Sequence, residues 1–313
     1  MLSSVVRGDA SHRVRMILAF GAIYVIWGST YLAIRYAVET LPPFLMMGVR
    51  SLIGGGILYL WSRARGNGSF RIEHLPALFT IGISFFLVGH GLLAWAQQHV
   101  SSGIAAVLVA SEPLWIVTIE SLFLRDARIH GKGVAGLVLG FAGLVYLIAS
   151  TKGIDPSGTD MLASMAVVGG SLSWSGGAVY ARVARLPRSP VLSAGMELMI
   201  GGAFLLIASY LFGEMDAFDI RSVSVRSMLG LGYLILFGSV VAFSAYSWLL
   251  GHTSATRIST HTYVNPIIAL LLGWLAAGEP MTTTVGVAAA AIVGSVYLAL
   301  HDGQKSDTIT ESS

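Results

Sequence analysis

Long uninterrupted apolar runs dominate this chain, and they leave it few ways to fold. A helix needs roughly 20 mostly apolar residues to cross the hydrocarbon core of a bilayer. Ten segments meet that demand, near 16–35, 43–62, 75–96, 102–123, 133–150, 160–181, 190–212, 228–250, 256–277 and 283–300. A membrane β-barrel would instead show short stretches of alternating hydrophobicity. The expected fold is therefore an all-α integral membrane protein of ten transmembrane helices. Only 11% of the 313 residues are charged, against about 25% in soluble domains. With no cysteine in the chain, disulfides and thiolate metal sites are excluded.

Lysine and arginine set the expected orientation. With the amino terminus in the cytoplasm, all but five of the 19 basic residues (Arg35, Arg50, Lys152, Arg221 and Arg226) fall inside. The outer loops then carry Asp155, Asp160, Glu214, Asp216 and Asp219. Both termini are expected inside, with residues 1–15 as a cytoplasmic segment and 301–313 as a cytoplasmic tail, disordered from Gln304. The first apolar run lacks a small-residue cleavage site after it and reads as an uncleaved helix.

The chain also repeats itself. PFLMMGVRSLIGGG from Pro43 aligns with PVLSAGMELMIGGA from Pro190 at an offset of 147, which also pairs Trp27 with Trp174 and Arg35 with Arg182. Further on, an offset of 153 pairs His99 with His252, Pro113 with Pro266 and Asp126 with Glu279. Residues 16–150 and 160–300 thus read as two five-helix repeats. An odd number of helices inverts the second repeat, the arrangement secondary transporters place around a midplane cavity.

Two prolines sit near the middle of equivalent segments, in Ser111-Glu112-Pro113 and Val264-Asn265-Pro266. Proline donates no hydrogen bond, so Pro113 deprives the carbonyl of Val109, and Pro266 that of Thr262, of a helical donor. Paired interruptions at corresponding points of two halves mark a binding site; the alternative is a kink satisfied by neighbouring helices. Glu112 is costly in a bilayer unless it faces a cavity or a partner, and reads as a group for a substrate cation or a coupling proton. Candidate substrate-binding residues are Trp27, Tyr31, His90, Glu112, Trp115, Trp174, Tyr246, His261, Tyr263 and Asn265. Aromatic walls around a carboxylate suit a cationic or zwitterionic small molecule with an apolar body. Arg50, Glu120, Glu197 and Arg257 read as structural or gating groups, with Glu120 able to pair with Arg257. No metal-ligand set, cofactor motif or nucleotide-binding loop is present in the sequence.

The chain resembles the ten-helix EamA branch of the drug/metabolite transporter superfamily. The residues that carry the resemblance are WGSTY at 27–31, the Pro42-Pro43 pair followed by GVR at 48–50, SGIAA at 102–106, GS at 238–239, YVNP at 263–266 and GE at 278–279. Asp126 departs from a glutamate often found there in the family. The resemblance implies a bundle with a central cavity and the movement of a small metabolite, often an amino acid or similar compound, usually by export across a bacterial inner membrane. The expected partners are a small-molecule substrate, the lipid bilayer and protons as a coupling ion, with no nucleic acid, in a monomer or homodimer. A channel or a non-transporting sensor is the alternative. A membrane-embedded enzyme ranks last, because no HExxH, GxSxG or paired intramembrane aspartates occur.

Overall fold

A computed structural model of the chain describes residues 2–66, 70–123, 131–151, 158–250, 252–253, 258 and 260–310. These residues are helical throughout, apart from short turns and loops. The helices are α1 (Leu2–Ala37), α2 (Pro43–Ala64), α3 (Leu75–Gly82), α4 (Gly91–Ala96), α5 (Ser102–Val109), α6 (Glu112–Phe123) and α7 (Gly131–Thr151). The second half follows with α8 (Thr159–Ala181), α9 (Pro190–Leu211), the short α10 (Glu214–Ala217), α11 (Val225–Tyr233), α12 (Ala242–Leu250), α13 (His261–Ala277) and α14 (Thr283–Thr310). α1 begins ahead of residue 16 and α14 continues past Gln304, where a disordered tail was expected. No proline follows Gln304 to stop the helix.

Among the described residues, eight helical stretches are long and apolar enough to span a membrane: His12–Ala37, Pro43–Ala64, Ile72–Ala96, Ser102–Phe123, Gly133–Ser150, Thr159–Ala181, Pro190–Leu211 and Val225–Tyr246. Val264–Ala277 and Thr283–Leu298 are apolar but shorter. Large apolar side chains point outward along these helices, among them Leu60, Leu122, Phe123, Val138, Val145, Tyr210 and Leu275. In a bilayer that surface meets lipid, while the helical backbone satisfies its own hydrogen bonds.

Within lipid, helices gain little from apolar contact alone, and small residues let their backbones approach. α2 and α9 use this device. A Cβ on Gly55 would lie 2.7 Å from the carbonyl oxygen of Gly195, and one on Gly202 would lie 3.1 Å from that of Gly48. Positions 48 and 202, and 55 and 195, therefore face each other across an antiparallel crossing. A second antiparallel pair joins α7 and α14, where Gly140 lies against Ser295 and Gly143 against Ile292. Between the two pairs, α1 packs on α11, α12 and α13, and α8 packs on α4, α5 and α6.

Two stretches leave ordinary α-geometry. Residues Ile83–His90, between α3 and α4, and Leu234–Val241, between α11 and α12, are wound as π-helix. Such winding is rare and concentrates at functional sites. Nothing in the apolar patterning signals it.

Candidate functional site

The two mid-helix tryptophans each gather an aromatic cluster, one on the first π-helical stretch and one on the helices that follow the second. Trp174 of α8 stacks on Phe85 at 4.1 Å and meets the His90 ring at 5.1 Å, both on the first π-helical stretch. Phe86 closes this group, 5.2 Å from His90. On the other side, Trp27 of α1 lies 5.7 Å from Phe243, 5.4 Å from Tyr246 and 5.0 Å from His261. The candidate aromatics thus fall into two clusters, each a tryptophan with a histidine beside it. Trp115 makes its ring contact elsewhere, with Phe141 of α7 at 4.6 Å. The Tyr263 side chain lies outside the described residues, as do Arg257 and Asp126.

Glu112 opens α6, and the segment Ser102–Phe123 is not one continuous helix. It breaks at Ala110-Ser111. The amide and hydroxyl of Ser111 both donate to the carbonyl of Leu108, at 3.2 and 2.6 Å, and its own carbonyl accepts from Leu114 at 2.9 Å. Pro113 therefore sits in the first turn of a new helix, where its missing donor costs nothing, rather than in mid-helix. Ser175, next to Trp174, donates its hydroxyl to the Glu112 carbonyl at 3.0 Å. The Tyr31 carbonyl accepts from buried Gln97 at 2.8 Å.

Asn265 and Pro266 lie within continuous α13. With its amide in the orientation that satisfies its neighbours, Asn265 donates to the carbonyls of His261 at 3.1 Å and Tyr24 at 3.3 Å. Its side chain thus ties the bend in α13 to α1.

The charged candidates separate. Glu120 accepts from Arg182, the first residue past α8; its expected pairing with Arg257 falls on a residue outside the described ones. Glu197 is buried and accepts from Ser193 on its own helix at 2.7 Å. Arg50 is 3% exposed and donates through Nε to Ser239 on the second π-helical stretch at 3.1 Å.

At one end of the bundle, a cavity of about 350 Å³ is lined by Arg35, Tyr36, Glu39, His99, Arg226 and Glu279, among others. Its charges have local partners. Arg35 donates to the Gln97 carbonyl, and Arg226 pairs with Glu39 at 3.3 Å. Glu279 accepts from the amides of Ser102 and Gly103 at 2.8 and 3.1 Å, capping α5, whose amino terminus favours negative charge. Gly278, with φ of 64°, ends α13 in the left-handed conformation and turns Glu279 toward α5. That is the physical role of GE at 278–279. The sequence reading overlooked this cap, although a glycine-acid pair after an apolar run is a legible signal. It also overlooked Phe85 and Phe86, which lie on the first π-helical stretch, and Phe243, which opens α12 just after the second.

An all-helical bundle with paired aromatic clusters at its centre and an apolar outer surface is the build of a multi-pass membrane transporter. The chain belongs to the EamA-like transporter family, matching it over residues 14–149 and 161–301. It is 36% identical to the uncharacterized inner membrane transporter YedA of Escherichia coli (strain K12), over 90% of this chain and 89% of that one. It is 27% identical to the uncharacterized transporter YoaV of Bacillus subtilis (strain 168), over 91% and 96% of the two chains. A WAT1-related chloroplastic protein of Arabidopsis thaliana is 27% identical over 88% of this chain and 67% of its own. One solved crystal structure superposes with a TM-score of 0.60 at 23% identity, covering 91% of this chain and 97% of that one; this likeness bears on the fold alone.

Proposed function

We propose that the protein is a secondary carrier that moves a small cationic or zwitterionic metabolite across the inner membrane, in the export direction, by alternating access between two inverted halves of five helices. The observation that carries the reading is the correspondence of the two aromatic clusters. Trp27 pairs with Trp174 at offset 147, and Phe243 pairs with His90 at offset 153. The contact of Trp27 with Phe243 thus has its counterpart in that of Trp174 with His90.

The crossing of α2 and α9 supports the same pseudo-symmetry. Exchanging the halves turns the contact of Gly48 with Gly202 into that of Gly195 with Gly55, and both are close. The contact of Gly54 with Ser239 likewise becomes that of Gly201 with Phe86, and a Cβ on either glycine would lie 2.5 or 2.4 Å from its neighbour's Cβ. The two π-helical stretches also occupy nearly matching places. Symmetry of this kind lets one conformation be exchanged for its mirror in function, opening either side in turn. Glu112, at the first break, is the group for the substrate's positive charge or for a coupling proton. Both termini are placed in the cytoplasm, so the cavity around Arg35 and Glu279 lies at the outer end.

The test is transport by purified protein in liposomes, screening amino acids and cationic metabolites with and without a pH gradient. Wild type is expected to move a substrate under the gradient, and Glu112→Gln to lose the gradient's drive. Equal transport by Glu112→Gln under every condition removes the carboxylate from the mechanism. A folded wild type that moves none of the compounds argues against the carrier reading.

A further inference from the structure

Arg50 is the most anomalous group in the bundle. It lies in the span formed by α2 and is 3% exposed. Its described contacts are the Ser239 hydroxyl at 3.1 Å and the Met47 sulfur, a weak acceptor, at 3.5 Å. Among the described residues no carboxylate lies within ion-pairing reach of it. Arg71, Arg182 and Arg226 are all more exposed, yet each has an acidic partner. A guanidinium carries five N–H donors, and a buried charge without a counter-charge costs several kcal/mol. Those two contacts use Nε and Nη1; Nη2, packed so closely on Gly238 that a Cβ there would lie 3.2 Å from it, has no acceptor among the described residues.

A second group nearby is also unpartnered. His90 Nδ1 is buried with no hydrogen-bond partner. The packing brings together the elements that carry the two groups. α2 carries Arg50 and, one turn on, Gly54, which abuts Ser239; α2 also packs against α4 and the first π-helical stretch. One uncompensated cation and one orphaned ring nitrogen thus lie on packed elements, the nitrogen beside the Trp174 and Phe86 rings.

We propose that Arg50 and His90 form an anion subsite that binds the carboxylate of a substrate whose apolar body lies against the Trp174 cluster. Arg50 supplies charge and its open N–H groups, and His90 donates through Nδ1 in the tautomer that carries a proton there. The inference deepens the carrier reading and rests on it. With Glu112 at the first helix break as the cation group, the centre presents both signs of charge and selects a solute that carries a carboxylate.

The test measures binding with no gradient, on full-length protein in phosphatidylcholine nanodiscs, where no anionic headgroup competes. The probes are 3-phenylpropionate and its neutral isostere 3-phenylpropionamide, followed by tryptophan fluorescence. Wild type should bind the carboxylate saturably and the amide about tenfold or more weakly, because charge-assisted hydrogen bonds are the strong ones. Arg50→Gln should erase that preference, and Arg50→Lys should restore part of it. His90→Phe, which keeps the ring packing and removes Nδ1, should weaken the carboxylate and leave the amide unchanged. If Arg50→Gln does not fold, Arg50→Lys and His90→Phe decide. No saturable binding of the carboxylate, equal binding of the two probes, or unaltered binding by these variants overturns the subsite. Carboxylate binding through Arg50 with no transport of any solute would retain the subsite and sink the carrier.

Discussion

Ser111-Glu112-Pro113 and Val264-Asn265-Pro266 occupy equivalent places in the two halves, yet they do different things. In the first, the helix stops. Ser111 takes the Leu108 carbonyl with both its amide and its hydroxyl, and a new helix starts with Glu112 and Pro113 in its first turn. In the second, α13 runs through the proline, and Asn265 spends its amide on the His261 and Tyr24 carbonyls. The proline is common to both, so the proline does not decide the outcome. The residues before it do. Serine competes for backbone carbonyls and favours helix ends, whereas asparagine here braces a bend against α1. The difference also divides the chemistry: an ionisable side chain stands at the break, and a neutral, satisfied one stands in the continuous helix.

That division can be broken by making one half resemble the other. Glu112→Asn gives the first half the residue of the second. On the proposed mechanism, transport of a cationic substrate should fall about 30-fold or more, the cost of removing a buried charged partner; initial rates in liposomes measure it. Gly273→Ala tests the half that lacks the break. A Cβ there would lie 2.3 Å from Glu279 Oε2, so the carboxylate must leave its place on α5. A loss of about 1–3 kcal/mol is expected from overpacking, read as a lowered midpoint of thermal unfolding in detergent. Asn265→Ala should cost about 1–2 kcal/mol, because it removes two side-chain hydrogen bonds, one of them the tie between α13 and α1, and the same melts resolve it. An unchanged midpoint for Asn265→Ala would mean that Asn265 does not brace the bend.

The helices were legible because the bilayer demands long apolar runs, and segments such as 43–62 and 102–123 begin with a first-turn proline or behind a serine cap. What stayed illegible depends on geometry that composition does not encode. Phe85 and Phe86 carry no mark in the sequence, and π-winding that periodicity does not report sets them beside Trp174. Pro113 was expected in mid-helix, because periodicity cannot report that Ser111 would outcompete the helix for Leu108. The partner expected for Glu120, Arg257, lies outside the described residues; Arg182 also reaches Glu120 from just past the end of α8, because an arginine side chain is long.

Glu120 gives the last and smallest difference between the halves. Its counterpart at offset 153 is Gly273, so the first half has an ion pair where the second has a glycine covered by Glu279. Arg182 is 60% exposed and Glu120 17%. Solvent screens a pair of that kind, and both long side chains lose rotamer freedom in making it; such pairs contribute about 0–1 kcal/mol. Glu120→Gln should therefore shift the unfolding midpoint little and less at high salt, while the capped glycine of the other half resists substitution. A loss comparable to that of Gly273→Ala would show that the bridge from α6 to Arg182 ties the first half to the second as firmly as the Glu279 cap ties α5 to α13, and the two seams would then differ in chemistry but not in strength.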